Sequence, residues 1–124
     1  MSKTIVHYSI SGNTRAFAKR FQNDGYTTLS IKEAEDIEKP FILFTPTYNF
    51  GRIPAPITRY LEKKEVYLRG VVSFGDRGWG DMFATAGDLI SQKYNVPLIA
   101  KVEKRGTSQD YLKIRRELHD RFRN

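Results

Sequence analysis

The chain has 124 residues, no cysteine and a formal net charge of +7, from 21 Lys and Arg against 14 Asp and Glu. We expect residues 1–124 to form one domain, because a chain this short is too small for two cores. The lack of cysteine excludes a disulfide framework, a thiol redox motif and a cysteine-nucleophile phosphatase. Any electron transfer would therefore need a bound cofactor.

The sequence gives no sign of a membrane or secretory role. No apolar run approaches the length of a membrane span, and the opening "MSKTIVHYS" lacks the apolar region of a signal peptide. We therefore expect a soluble cytoplasmic protein that does not associate with membranes. The basic charge favours an acidic partner, such as nucleic acid or an acidic protein face, unless it serves solubility alone.

Short apolar runs alternate with helix-like stretches along the chain. Apolar or β-branched runs bounded by Gly, Pro or polar residues predict five strands: Thr4–Tyr8, Thr27–Ile31, Pro40–Thr45, Leu68–Phe74 and Pro97–Val102. Apolar residues at helical spacing predict four helices: Thr14–Asn23, Ala55–Lys64, Asp81–Tyr94 and Ser108–Arg123. This alternation predicts a parallel sheet with helices on both faces, in the strand order 2-1-3-4-5.

Ligands of such sheets lie outside the carboxyl ends of the strands, where the strand order reverses. This rule points to the segments after the first, third and fourth strands. The first of these reads "SISGNT" and places hydroxyl and amide donors around Gly12 at a predicted helix start. Unpaired backbone N–H groups at such a start attract anions. The segment is therefore predicted to bind a phosphate, with a plain N-capping turn as the alternative.

The absence of two nucleotide-binding motifs indicates which class of phosphate ligand the segment could bind. Neither G-x-x-x-x-G-K-[ST] nor G-x-G-x-x-G occurs in the sequence, which disfavours a nucleotide triphosphatase and a dinucleotide site. A donor-rich segment without lysine suits a phosphate monoester that is held in place rather than transferred.

Two later segments offer surfaces for a flat ligand. Thr45–Pro54 contains aromatic rings and an amide, and Gly51 tolerates a positive φ. Ser73–Asp81 contains three glycines beside Trp79, and Asp81 is predicted to be the N-cap of the next helix. The alternatives are a hydrophobic lid for the former segment and an ordinary Gly-rich turn for the latter.

The two histidines are not predicted to be ligands. His7 lies in the middle of the first predicted strand, so we expect a packed core residue. His119 lies in a charged terminal helix, so we expect it to be solvated.

Four segments resemble the NrdI family, the flavodoxin-like FMN proteins of class Ib ribonucleotide reductase systems. They are "SISGNT", "TPTYNFGRIP", "RGVVSFGDRGWGDMFATAGDLIS" and "YNVPLIAKVEKRGT", which follow the family order over almost the whole chain. The resemblance implies a flavodoxin-like three-layer sandwich and places the FMN phosphate on Ser9, Ser11, Gly12, Asn13 and Thr14. It places the isoalloxazine between two groups: Thr47, Tyr48, Asn49, Phe50 and Gly51 on one side, and Ser73, Gly75, Asp76, Trp79 and Gly80 on the other.

The resemblance also implies a function. Reduced flavin would react with molecular oxygen to supply superoxide for assembly of the dimanganese–tyrosyl radical cofactor of the reductase small subunit. The chain would be an activator rather than a free-standing enzyme, and it would need an upstream flavin reductant. Docking would involve Phe50, Arg52, Arg77 and Trp79, with no metal site and no nucleic acid. Asp76 departs from the family, because many relatives carry an amide there.

Two other functions remain open from the sequence. An ordinary flavodoxin that shuttles single electrons to an enzyme would share the same FMN site. A flavin-free nucleic-acid-binding module would exploit the charge of +7, although the basic residues are scattered. A response-regulator receiver is disfavoured, because it needs an acidic pair after the first strand and a phosphate-accepting Asp after the third, where this chain has Ser9 and Thr45-Pro46-Thr47.

Overall fold

The protein folds around a five-stranded parallel sheet in the order β2-β1-β3-β4-β5. The computed structural model describes residues 3–48 and 51–122. The strands are β1 Thr4–His7, β2 Thr27–Ser30, β3 Phe41–Pro46, β4 Leu68–Gly75 and β5 Leu98–Glu103. The predicted strand order is confirmed, and each strand lies within one or two residues of its predicted bounds.

Four α-helices connect or follow these strands: α1 Asn13–Lys19, α2 Ala55–Lys64, α3 Thr85–Tyr94 and α4 Ser108–Phe122. Short 3-10 segments cover Arg20–Asp24, Glu65–Tyr67 and Arg77–Met82. Within residues 3–48 and 51–122, no helix is both long enough and apolar enough to cross a membrane.

The third helix begins later than predicted. Gly80 and Ala84 have φ angles of 60° and 51°, which interrupt the helical path before Thr85. Ala84 is the N-cap of α3, so the prediction that Asp81 caps this helix is wrong. Asp81 instead lies in the 3-10 segment, because the chain turns twice through left-handed conformations that periodicity does not reveal.

The sheet is covered by apolar layers on both faces. Alternate residues of β3 point to opposite faces, with Phe44 in one buried cluster and Leu43 in the other. The first cluster contains Phe17 of α1 and Ile114 of α4, and the second contains Ile57 of α2. Because Ile90 of α3 also belongs to the second cluster, α1 and α4 cover one face of the sheet and α2 and α3 cover the other, which leaves the carboxyl ends of the strands to the loops.

His7 is a buried strand residue, as predicted. It pairs in register with Ser30 and Phe44 and is only 4% exposed. Burial lowers the pKa of His7 below its ordinary value of 6.5, and the positive charges of Arg15 and Lys19 act in the same direction while Glu33 opposes them. His119 lies exposed on α4, which also agrees with the prediction.

Candidate functional site

A cavity of about 320 Å³ opens at the carboxyl ends of the strands. Four loops line it, together with the strand ends that lead into them. The lining comprises Ile10, Ser11, Asn13 and Thr14 after β1; Pro46, Thr47, Tyr48 and Gly51 after β3; Phe74, Gly75, Asp76, Trp79, Met82 and Ala84 after β4; and Lys104 after β5. The three predicted segments therefore meet at one site.

Large apolar side chains stay exposed around this cavity. Ile10 is 53% exposed, Tyr48 47%, Trp79 52% and Met82 42%, and all four line the cavity. Only three other large apolar residues in the described part of the chain are comparably exposed. A concentration of exposed apolar surface at one place is typical of a binding site.

The loop after β1 supplies the polar end of the cavity. Gly12 is the N-cap of α1 with a φ of 93°, and no side chain caps that helix. Ser11, Asn13 and Thr14, which carry hydroxyl or amide groups, line the cavity beside this helix start. The Oγ atom of Ser9 is buried and has no hydrogen-bond partner within the described residues. A buried polar atom of this kind normally has a partner, so this hydroxyl is available to a ligand bound at the loop, although Ser9 and Gly12 are not among the residues that line the cavity.

The loop after β3 is closed by a reciprocal pair of backbone hydrogen bonds. The N–H of Tyr48 donates to the carbonyl of Arg52 at 2.8 Å, and the N–H of Arg52 donates back at 2.7 Å. Gly51 has a φ of 82°, and a Cβ there would lie 2.3 Å from Oγ1 of Thr85. Glycine is therefore needed both for the turn and for the close approach of α3. The predicted site residues Asn49 and Phe50 lie outside the described residues.

The start of α3 is held by side chains from neighbouring strands. Because Ala84 has no capping group, the free N–H groups of the first turn need other acceptors. Oγ of Ser73 accepts from the N–H of Gly87 at 2.9 Å, and Oγ1 of Thr47 accepts from that of Ala86 at 3.4 Å. Thr85 in turn donates to the carbonyl of Gly51 at 2.9 Å. These contacts join the loops after β3 and β4 into one unit.

Ser73 therefore has a different place from the one predicted. It is fully buried beneath the site, does not line the cavity, and donates to the carbonyl of Ala84 at 2.7 Å. Its hydroxyl both donates a hydrogen bond to α3's N-cap residue and accepts one from the first turn of α3. The hydroxyl therefore positions α3 and does not face a ligand. Gly80 also stays outside the lining, on the exposed turn before α3.

Gly75, Asp76 and Trp79 do line the cavity, as predicted for the loop after β4. A Cβ on Gly75 would lie 2.7 Å from the backbone nitrogen of Ala84, so only glycine permits this packing. The Asp76 carboxylate accepts a hydrogen bond from the N–H of Gly78 at 2.8 Å and caps the 3-10 segment. The negative charge of Asp76 is therefore stabilised by a backbone N–H group at the edge of the cavity.

The two arginines predicted for docking lie outside the cavity lining. Nε of Arg77 is 3.6 Å from a carboxylate oxygen of Glu103, and its guanidinium carbon is 4.4 Å from the centre of the Phe83 ring. Arg77 is therefore held against β5 and the turn before α3. Arg52 is exposed beside the closed loop.

Lys104 lines the cavity but was not predicted. It follows β5, and its N–H donates to the carbonyl of Gly75 at 2.9 Å. The signal was available: β5 neighbours β4, so the loop after it reaches the same edge of the sheet. Ile10, Pro46 and Phe74 lie within the three predicted segments but were not named as site residues, and Met82 and Ala84 lie beyond those segments.

Comparison with known proteins agrees with this architecture. The NrdI flavodoxin-like family model matches residues 5–116. A short-chain flavodoxin associated with a non-canonical PDU bacterial microcompartment is 14% identical, with a TM-score of 0.74 over 96% of this chain and 95% of that one. Flavodoxin 2 from Bacillus cereus is 18% identical, with a TM-score of 0.72 over 98% and 97%.

A third structure contains a ligand. The flavodoxin from Fusobacterium nucleatum bound to flavin mononucleotide is 19% identical, with a TM-score of 0.53 over 95% of this chain and 92% of that one. At these identities the solved structures establish the fold alone. The family match covers most of the chain, and the chain therefore belongs to the NrdI flavodoxin-like family.

Proposed function

We propose that the cavity binds FMN. The observation that carries this proposal is the division of its lining into a hydroxyl-rich end at the loop after β1 and an aromatic end at Tyr48 and Trp79. FMN has the same division, with a phosphate at one end and a flat ring system at the other. The unpartnered Oγ of Ser9 fits a phosphate neighbour. Family membership and the FMN-bound flavodoxin of the same fold support this choice of cofactor.

The residues that would hold FMN follow from this division. Ser9, Ser11, Gly12, Asn13 and Thr14 would bind the phosphate, through hydroxyl, amide and backbone donors. Two loops would flank the ring, with Thr47, Tyr48, Asn49, Phe50 and Gly51 in one and Gly75, Asp76, Trp79 and Gly80 in the other. Ser73 would act indirectly, by fixing the start of α3 behind the second of these loops.

The protein's contribution to the chemistry is electrostatic. When bound, FMN supplies redox chemistry, and its two-electron reduced form can pass one electron to each of two oxygen molecules to give superoxide. The formal net charge of +7, with Lys104 in the cavity lining, favours a ligand that gains negative charge on reduction. Trp79 is 52% exposed, so a ring bound beside it would be accessible to small molecules such as oxygen.

The biological role we infer is activation of a class Ib ribonucleotide reductase. Superoxide made at the exposed edge would pass to the dimanganese site of the small subunit and allow its tyrosyl radical to form. An upstream flavin reductant would reload the protein. This role rests on family membership and on the basic charge, since ordinary flavodoxins are typically acidic and separate reduction into single-electron steps.

A visible spectrum recorded during anaerobic reduction and readmission of oxygen tests the proposal. We expect a bound flavin, reduction without a large separation of the two electron steps, and rapid reoxidation that yields superoxide in a trapping assay. A colourless protein that FMN does not saturate would contradict the cofactor assignment. Two widely separated electron steps and slow reoxidation would identify an electron-shuttling flavodoxin instead.

A further inference from the structure

Lys104 has an unusual backbone conformation for its residue type. Its φ is 51°, and only two other non-glycine residues in the described chain, Ala84 and Asn95, have a positive φ. Asparagine tolerates this region because its side chain bonds locally, whereas a lysine there is strained. Lys104 and Ala84 both line the cavity. Strain of this kind tends to persist where a site needs it.

Two backbone hydrogen bonds and one close packing contact hold the turn that contains Lys104. The N–H of Lys104 donates to the carbonyl of Gly75 at 2.9 Å, and the N–H of Gly106 donates to that of Glu103 at 2.8 Å. Gly106 packs closely on the Phe17 ring, since a Cβ there would lie 2.6 Å from it. The backbone conformation of Lys104 is therefore set by the surrounding fold.

The charge of Lys104 is not neutralised by a nearby carboxylate. Among residues 3–48 and 51–122, its ammonium has no carboxylate oxygen within 4.0 Å. The two acidic side chains closest to it along these loops are engaged elsewhere: Glu103 with Arg77, and Asp76 with the N–H of Gly78. Lys104 is exposed and lines the cavity, so its positive charge can act on a ligand bound there.

We propose that Lys104 holds its positive charge beside the ring of bound FMN. This charge would favour the reduced, anionic form of the flavin. The proposal rests on the proposed FMN site. The ring rather than the phosphate is assigned to Lys104 because its backbone bonds to Gly75, in the loop that carries Trp79, whereas the hydroxyl donors lie in the loop after β1. A charge beside the ring separates the affinities of the two redox states, while a charge on the phosphate would change both equally.

The test is the midpoint potential of FMN bound to K104Q, together with the dissociation constants of oxidised and reduced FMN. We expect reduced FMN to lose about tenfold more affinity than oxidised FMN, which corresponds to a potential about 30 mV lower for a two-electron couple. R105Q is the matched control, because Arg105 is the exposed neighbour outside the lining and its loss changes the net charge equally. We expect R105Q to leave the potential near that of the wild type.

A second variant separates charge from backbone effects. K104G suits the left-handed conformation better than lysine does, so it should lower the potential as K104Q does without lowering the melting temperature. An unchanged potential in both variants, or an equal loss of affinity for oxidised and reduced FMN, would overturn the inference while leaving the FMN site intact. Failure of the wild type to bind FMN would overturn the proposed function and this inference together.

Discussion

A single hydroxyl, that of Ser73, joins a strand to the helix beside the site. It donates to the carbonyl of Ala84 and accepts from the N–H of Gly87, so it satisfies two backbone groups at the start of α3. Gly87 permits the approach, because a Cβ there would lie 2.4 Å from that of Ser73. The position of the cavity wall at Ala84 therefore depends on a residue that never faces the cavity.

Replacing Ser73 by Ala should remove the shorter hydrogen bond of each buried backbone group and leave only the 3.4 Å hydrogen bond from the N–H of Gly87 to the carbonyl of Ala84. We expect the free energy of unfolding to fall by about 1–3 kcal/mol and the affinity for FMN to fall with it, as measured by urea titration and flavin fluorescence. S91A is the control, since Ser91 also donates to a backbone carbonyl, that of Val96 at 2.6 Å, but at the other end of α3. Equal FMN affinity in the two variants would show that Ser73 does not position the cavity wall.

His7 makes stability depend on pH. Burial lowers its pKa in the folded protein, so below about pH 6.5 the unfolded chain binds a proton that the folded chain does not. The free energy of unfolding should therefore decrease as the pH falls from about 7 to 5, with a slope of at most about 1.4 kcal/mol per pH unit from this residue. Urea titrations across that range should show a shallower dependence in H7Q. H119Q, which changes the exposed histidine, should keep the wild-type slope.

At the scale of elements, hydrogen bonds connect α3 to the loop after β3, so the two should move together. The reciprocal bonds of Tyr48 and Arg52 close the loop, and Thr85 ties it to the helix through the carbonyl of Gly51. Any change that moves this loop away from α3 should open the cavity on one side.

Replacing Gly51 by Ala should have this effect. Its Cβ would collide with Thr85 and the left-handed φ would be strained, so we expect a loss of stability well above the 1–2 kcal/mol of strain alone, and a loss of FMN affinity. G25A is matched in conformation, with a φ of 86°, but has open space around the added carbon. G25A measures the cost of the left-handed φ alone, and any additional loss in G51A measures the collision with Thr85. Thermal melts and FMN titrations of both variants give these losses. Similar losses in the two would argue against the coupling of loop and helix.

The elements also show how far the sequence predicts this structure. Buried runs such as Phe41–Pro46 have an unambiguous apolar pattern, and their order fixed the edge of the sheet where the loops meet. The start of α3 could not be predicted, because it depends on a left-handed Ala84 and on caps supplied by Ser73 and Thr47 from distant strands. Lys104 was missed for a related reason, since its role arises from the pairing of β4 and β5 rather than from its own neighbours in sequence.

At the scale of the whole molecule, the groove at the opposite end of the sheet differs from the cavity, whose lining contains one basic residue, Lys104, and one acidic residue, Asp76. The distal groove includes Lys3, Arg115, Arg116 and His119, with Asp24 already bonded to Arg115 at 3.1 Å. The cavity end adds exposed aromatic surface to its positive charge. We therefore propose that an acidic protein face docks at the cavity end through Arg52, Arg77 and Trp79, together with Phe50, which lies outside the described residues.

Reversing one charge at each end tests this placement. R52E should slow association with the reductase small subunit roughly tenfold at low salt, because a charge at an interface rim mainly governs the encounter rate. R116E changes the net charge equally at the distal groove, and we expect it to have a much smaller effect in the same stopped-flow measurement. A larger effect of R116E would place the docking surface on α4 instead.

The four loops that line the cavity follow β1, β3, β4 and β5, so its walls exist only once the whole sheet has assembled. FMN would then bind the folded chain and not the unfolded one, and its free concentration would add to stability as RT ln(1 + [FMN]/Kd). Without the ligand, the side chains of Ile10, Tyr48, Trp79 and Met82 would remain an exposed apolar surface that favours non-specific association. The stability of this protein would therefore depend on the flavin supply, and flavin starvation would lower it.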